Sequence, residues 1–238
     1  MFNTGDDMSI SKRDCPVKIS LTPCSSYYLK VELEINGEQH SFLPSGAMSF
    51  FFSEFMGAVY ALYFEERDCH NHPYIQNSSK RAKSTWGTKD PTLEEGEVRI
   101  ESKVLWDEEG MLDTIRFCRV FSSRQSVPAG DEADPITVSI TYEDHKDKSG
   151  TYTYVVDGRD LSYAIAKAAC DAIKKYGFYG YYYSTGFDVV QSDLIDINQL
   201  LFFKSYAMDA MDTRILNEEG YVYASSFEKE IKLLMLDM

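Results

Sequence analysis

Basic residues are in short supply in this chain. Lys and Arg total 24 against 38 Asp and Glu, which leaves a formal charge of −14 over 238 residues. Phosphate backbones are held by clustered Lys and Arg, so this balance excludes nucleic acid as the expected partner. The deficit deepens toward the C-terminus, where residues 177–238 carry 4 basic and 10 acidic groups. Such a field attracts cationic partners and repels anionic ones.

Recognisable catalytic motifs are missing as well. The chain has no GxSxG elbow, no HExxH, no Walker A loop, no GxGxxG and no EF-hand loop. The expectation is therefore a protein without catalytic residues or cofactor. Its five cysteines, Cys15, Cys24, Cys69, Cys118 and Cys170, form no CxxC pair. Scattered and odd in number, they read as reduced structural thiols. Residues 1–14 lack the basic start and apolar stretch of a signal peptide and read as a mobile tail, so a cytoplasmic location is expected. The most apolar segment, Met48 to Phe64, is interrupted by Ser49, Ser53 and Glu54 and is shorter than the about 20 apolar residues a membrane span needs. No membrane partner is expected.

What the chain does contain is a unit repeated in pattern, an alternating β-hairpin that runs into an amphipathic helix. In the first copy Leu29, Val31, Leu33 and Ile35 alternate with Lys30, Glu32 and Glu34, the signature of a strand with one buried face. Asn36-Gly37 supplies the positive φ angles of a type I′ turn. The return strand ends near Pro44, Ser45 is placed to cap, and Met48 to Phe64 reads as a helix. That helix is apolar nearly all round and so must be buried nearly all round. The residues after Gly177 are the natural cover.

In the second copy Ile136, Val138, Ile140 and Tyr142 alternate with Thr137, Ser139 and Thr141. A polar loop from Glu143 to Gly150 leads back into Thr151 to Val156. Asp157-Gly158 breaks the strand and Asp160 is the expected cap of a helix whose inner stripe is Leu161, Ala164, Ile165, Ala168, Ala172, Ile173 and Tyr176, with Gly177 as its stop. Between the copies Val98, Ile100, Val104 and Trp106 form one face of a strand whose other face is Glu97, Arg99, Glu101 and Lys103, and Met111 to Phe121 return.

These elements predict an α+β fold. It has a mainly antiparallel sheet of about six strands in the order ββαββββα, helices on one face and a C-terminal helical segment. Residues 15–176 are expected to form the core domain with a long loop at 66–96. Residues 177–238 add an aromatic strand and helices, starting one helix near Asp193 and another from Ser226 to Met238.

Three segments are candidate sites. Asp68-Cys69-His70-Asn71-His72 holds two imidazoles and a thiol but supplies no fixed third or fourth ligand, so no metal is expected. The 66–96 loop carries Lys80, Arg81 and Lys83, a weak anion site without a glycine cradle, and Trp86, an indole more suited to docking than to solvent. Tyr176 to Tyr183 places six aromatics in eight residues. Read as a strand, the segment sends alternate rings to opposite faces, so some tyrosines belong to a second interface. Asp188, Asp193, Asp196, Asp209 and Asp212 follow, and helix caps explain them without chemistry.

The functional expectation is a protein that binds another protein, with a basic one, as for an inhibitor, fitting the charge best. Tyr179, Tyr181, Tyr182, Tyr183, Asp188 and Trp86 are the expected contact residues. Self-association into a homo-oligomer would bury the same tyrosines. The alternative is an enzyme or small-ligand protein with a pocket between the sheet and the C-terminal segment, gated by the 66–96 loop.

Overall fold

A computed structural model describes residues 15–24, 29–43, 51–63, 83–84, 93–94, 97–107, 111–122, 128, 132–143, 145, 148–185, 199–207, 214–217 and 220–223. Antiparallel sheets and a few helices make it an α+β fold. The small sheet holds β1 (Val17–Pro23), β2 (Leu29–Ile35) and β3 (Glu38–Phe42) in that order. The large sheet holds β4 (Lys83–Ser84), β5 (Glu97–Asp107), β6 (Leu112–Ser122), β7 (Pro135–Glu143) and β8 (Gly150–Asp157), also in chain order. A separate pair, β9 (Arg214–Asn217) and β10 (Gly220–Tyr223), lies near the C-terminus.

The β2–β3 turn is the one the sequence calls for. Asn36 and Gly37 sit at φ 53° and 86°, which closes a two-residue hairpin with strand-compatible twist. Alternation then sorts the small sheet into a buried face of Val17, Leu21, Val31, Leu33, Ile35, His40 and Phe42 and an outer face that includes Lys18, Ser20, Glu32 and Glu34. In the large sheet the same rule aligns inward rows across strands. One runs Trp106, Asp113, Tyr142; the next Val104, Ile115, Ile140, Tyr152; then Ser102, Phe117, Val138, Tyr154; and last Ile100, Arg119, Ile136, Val156.

Helix α1 (Phe51–Tyr60), extended by a 3-10 turn at Ala61–Tyr63, lies on that inward face. Phe55 packs on Trp106 and Phe117, and Ser102 Oγ donates to the carbonyl of Ala58 at 2.6 Å. The small sheet shares the face, with Phe42 against Trp106 and Tyr142. The remaining side of α1 is covered as its composition requires. Tyr60 and Tyr63 meet Phe202 of α3, the helix at 199–207, at ring distances of 5.2 and 5.0 Å.

Several expectations need correction. The predicted strands divide between two sheets, because β2 and β3 pair with β1, a strand outside the predicted set, while β5 to β8 belong to the large sheet. The helices do not share one sheet face: α1 packs on β5, whereas α2 (Gly158–Thr185) packs along β1, with the Cys15 thiol donating to the carbonyl of Asp160 at 3.4 Å. Helix α2 is capped by Asp157, whose Oδ1 accepts the Arg159 N–H at 2.9 Å, and not by Asp160. The run Tyr176 to Tyr183 is helical, since α2 continues through Gly177 and Gly180 to Thr185. Each helical glycine costs about 1 kcal/mol against alanine, and a helix already nucleated gains a hydrogen bond per added residue. Ser45, residues 1–14 and the expected helices at Asp193 and Ser226 lie outside the described residues.

Candidate functional site

The end of the β7–β8 hairpin overhangs β3 and, with the small sheet, encloses a cleft of about 850 Å³. Its lining includes Lys18, Ser20, Glu32, Glu34, Glu38 and Gln39 from the small sheet and Tyr142, Lys148, Ser149 and Tyr152 from the hairpin. At their junction sits His40, only 6% exposed because inward alternation on β3 places it beneath Tyr142, Tyr152 and Tyr154.

The hydrogen bonds here run in one direction. The Tyr154 hydroxyl donates to Glu38 Oε2 at 2.6 Å, so its oxygen must accept from His40 Nε2 at 2.7 Å. Nε2 therefore carries the imidazole proton. Burial lowers the His40 pKa, with Glu38 opposing and Lys148 adding to the shift, so at neutral pH Nδ1 is an acceptor and the Tyr142 hydroxyl donates to it at 2.7 Å. The result is a chain from Tyr142 through His40 and Tyr154 to Glu38. Burial, followed by the bond to Glu38, pushes the Tyr154 pKa up, which keeps that phenol a donor. A second pair flanks it, since His145 Nε2 lies 2.7 Å from Asp113 Oδ1 and the ring packs edge-on against Tyr142.

Around the edge of β3 the cleft is continued by the outer face of the small sheet, which is polar and salt-bridged. Lys18 reaches Glu34 and Lys30 reaches Glu32, each at 2.6 Å, and these bonds lower the pKa of both carboxylates. Such exposed pairs contribute about 0–1 kcal/mol and exchange readily with an incoming ion. Lys148 is otherwise engaged: its ammonium donates to the carbonyl of Ser41 at 2.6 Å and lies over the Tyr142 ring. Tyr152, 40% exposed, is the largest aromatic surface offered to solvent in the cleft.

A second polar constellation is fully enclosed. Arg119 Nε donates to Asp134 Oδ1 at 2.6 Å, while Tyr63 and Tyr206 donate to Asp134 Oδ2 at 2.8 and 2.7 Å. The guanidinium lies over the rings of Tyr63 and Phe121 and donates to the carbonyl of Leu62. Burial and the neighbouring carboxylate push the pKa of both tyrosines up, so they remain donors. With side-chain exposures of 0% and 2% for Arg119 and Asp134, no substrate reaches this cluster, and its work is to tie β6, α1, α2 and α3 together.

Tyr179, Tyr181, Tyr182 and Tyr183 belong to the last turns of α2, and their side chains lie outside the described residues, as do Asp188, Trp86 and the Asp68–His72 segment. Residues Lys80 and Arg81 do as well, while Lys83 begins β4 and pairs with Glu101. Among the described residues no group of three or more potential metal ligands occurs, and no helix is long and apolar enough to cross a membrane. Of the cleft residues, His40 was missed because a histidine at an inward strand position reads locally as core. Its signal was the alternation Glu38, His40, Phe42 opposite a hairpin bearing three tyrosines.

No family model, curated protein or solved structure matches this chain.

Proposed function

We propose that the protein is a protein-binding module and that the cleft between the small sheet and the β7–β8 hairpin receives a cationic segment of its partner. The observation that supports this most is the presence in one cleft of Tyr152, exposed and held edge-on by His40, and the exposed Glu38 carboxylate. A Lys or Arg placed there finds a π face and a carboxylate together, each favouring a cation. The charge of −14 adds steering of a basic partner during encounter.

The test is a titration with labelled oligolysine at low and moderate salt, comparing the wild type with Glu38→Gln and Tyr152→Ser. Both variants should weaken binding several-fold, whereas Glu101→Gln, on the opposite face of the large sheet, should not. Equal weakening by all three would reduce the effect to net charge and refute the site.

The one observation favouring a small-ligand or enzymatic reading is the directional chain ending beside the cleft, which could relay a proton. In that case Tyr142→Phe and His40→Gln, and not Glu101→Gln, would remove turnover of a bound small molecule.

A further inference from the structure

Among the described residues strand β8 ends the large sheet, and its outward edge is unusual in what it lacks. Natural edges are protected by charge, proline or bulges. From Gly150 to Val156 this strand has no charged residue and no proline, and it is rich in Thr, Tyr and Val.

The hydrogen-bond phase of β7–β8 follows from two observations. Gly158 N–H donates to the carbonyl of Asp134 at 2.7 Å, continuing the register in which Pro135 faces Asp157. That makes 134 and 158 a hydrogen-bonded pair, and pairs alternate along an antiparallel ladder. Thr151, Thr153 and Val155 therefore fall in non-hydrogen-bonded pairs, with N–H and C=O directed away from β7. The side chains agree, since opposed residues approach more closely in such pairs: Thr153 and Thr151 hydroxyls lie 3.2 and 3.0 Å from those of Ser139 and Thr141. All three residues are exposed, Val155 by 63%, and among the described residues nothing bonds to their outward backbone groups.

By contrast the Ser41 carbonyl of β3 already accepts a bond from Lys148, so part of β3 is occupied.

Resting on the cleft reading above, we propose that β8 is where the partner docks, and that the partner supplies an extended basic segment which adds to the large sheet as a new edge strand. Main-chain bonds to Thr151, Thr153 and Val155 hold it, in the manner of strand addition. Side chains of an added strand alternate in register with the sheet. Those on the inward side stand beside Tyr152 and Tyr154 and face Glu38, which suits Lys or Arg. Those on the outward side stand beside Thr151, Thr153 and Val155, which suits β-branched residues. Charge complementarity selects a basic heterologous segment over a second copy of this acidic chain.

The experiment uses the full chain and a labelled peptide of alternating lysine and valine, read by fluorescence anisotropy. Thr153→Pro removes an outward donor without removing a bond to β7, a change edge strands tolerate; it should weaken binding at least tenfold with the melting transition little changed. The same peptide N-methylated at alternate residues should fail on the unaltered protein, which keeps the test valid if the proline variant does not fold. Glu38→Gln should weaken binding several-fold. If the proline variant and the N-methylated peptide bind as well as their parents while Glu38→Gln does not, strand addition is refuted and the cleft reading survives. If a glutamate–valine peptide binds as tightly as the lysine–valine one, the basic partner is refuted. A wild-type solution mass of a dimer that reverts to monomer in Thr153→Pro would make the occupant a second copy and overturn the proposal.

Discussion

Replacing Gly158 by alanine should destabilise the fold by about 3–5 kcal/mol, although glycine to alanine ordinarily favours a helix by up to about 1 kcal/mol. The reason is space. A Cβ at this position would overlap Asp134 Oδ2 and the Tyr63 hydroxyl and lie 2.9 Å from Asp134 Cγ. The carboxylate has no free retreat, since Arg119, Tyr63 and Tyr206 hold it through bonds of 2.6, 2.8 and 2.7 Å and its own carbonyl receives the Gly158 N–H. Relaxation must stretch or break bonds to a buried charge, each contributing about 1.5–3 kcal/mol, or else shift the start of α2 at an overpacking cost of about 1–3 kcal/mol. Equilibrium urea unfolding measures the loss as a lower midpoint at unchanged slope. A double-mutant cycle with Asp134→Ala isolates the cause, because removing the carboxylate removes the collision and the two losses should fall well short of additive. Gly150→Ala is the control: its φ of 97° strains alanine but nothing lies within 4 Å, so the cost should be about 1 kcal/mol. A loss below about 1 kcal/mol for Gly158→Ala, or strict additivity in the cycle, would refute the reasoning.

Arg119→Met should cost about 3–5 kcal/mol by leaving Asp134 buried without its cation, measured by the same urea titration. The His40 imidazole is held below its ordinary pKa by burial, so as pH falls through about 6.5 the unfolded chain takes up the proton first. Stability should therefore be full above that pH, decline below it and level off once the folded imidazole also protonates. Urea midpoints across this range should show a flatter profile in His40→Gln. Nitrogen NMR of the wild type at neutral pH should report the Nε2–H tautomer. Tyr154→Phe, which removes the acceptor for that proton, should cost about 1–2 kcal/mol and disturb the signal. Gly37→Val, at φ 86°, should destabilise the β2–β3 hairpin by about 1–2 kcal/mol, seen as faster amide exchange in β3.

Features that repeat over a few residues are legible in the chain before it folds. Alternation specified β2, β5 and β7 and their inward faces, Asn36-Gly37 specified a turn, and the stripe from Leu161 to Ala172 specified the buried side of α2. The all-round apolarity of α1 also announced a second cover, which α3 supplies. These signals are legible because the period of a pattern is a local property of the chain. Tertiary structure decided the rest. The sorting of the strands into separate sheets depends on which edge each strand finds, and the run Tyr176 to Tyr183 joins α2, which continues through it to Thr185. His40 became a hub because folding brought it to tyrosines 102 and 114 residues away. Arg119 and Asp134 are ordinary charged residues until burial joins them to Tyr63 and Tyr206. Contacts between distant residues leave no periodic trace, because their partners are chosen by packing in three dimensions and not by spacing along the chain.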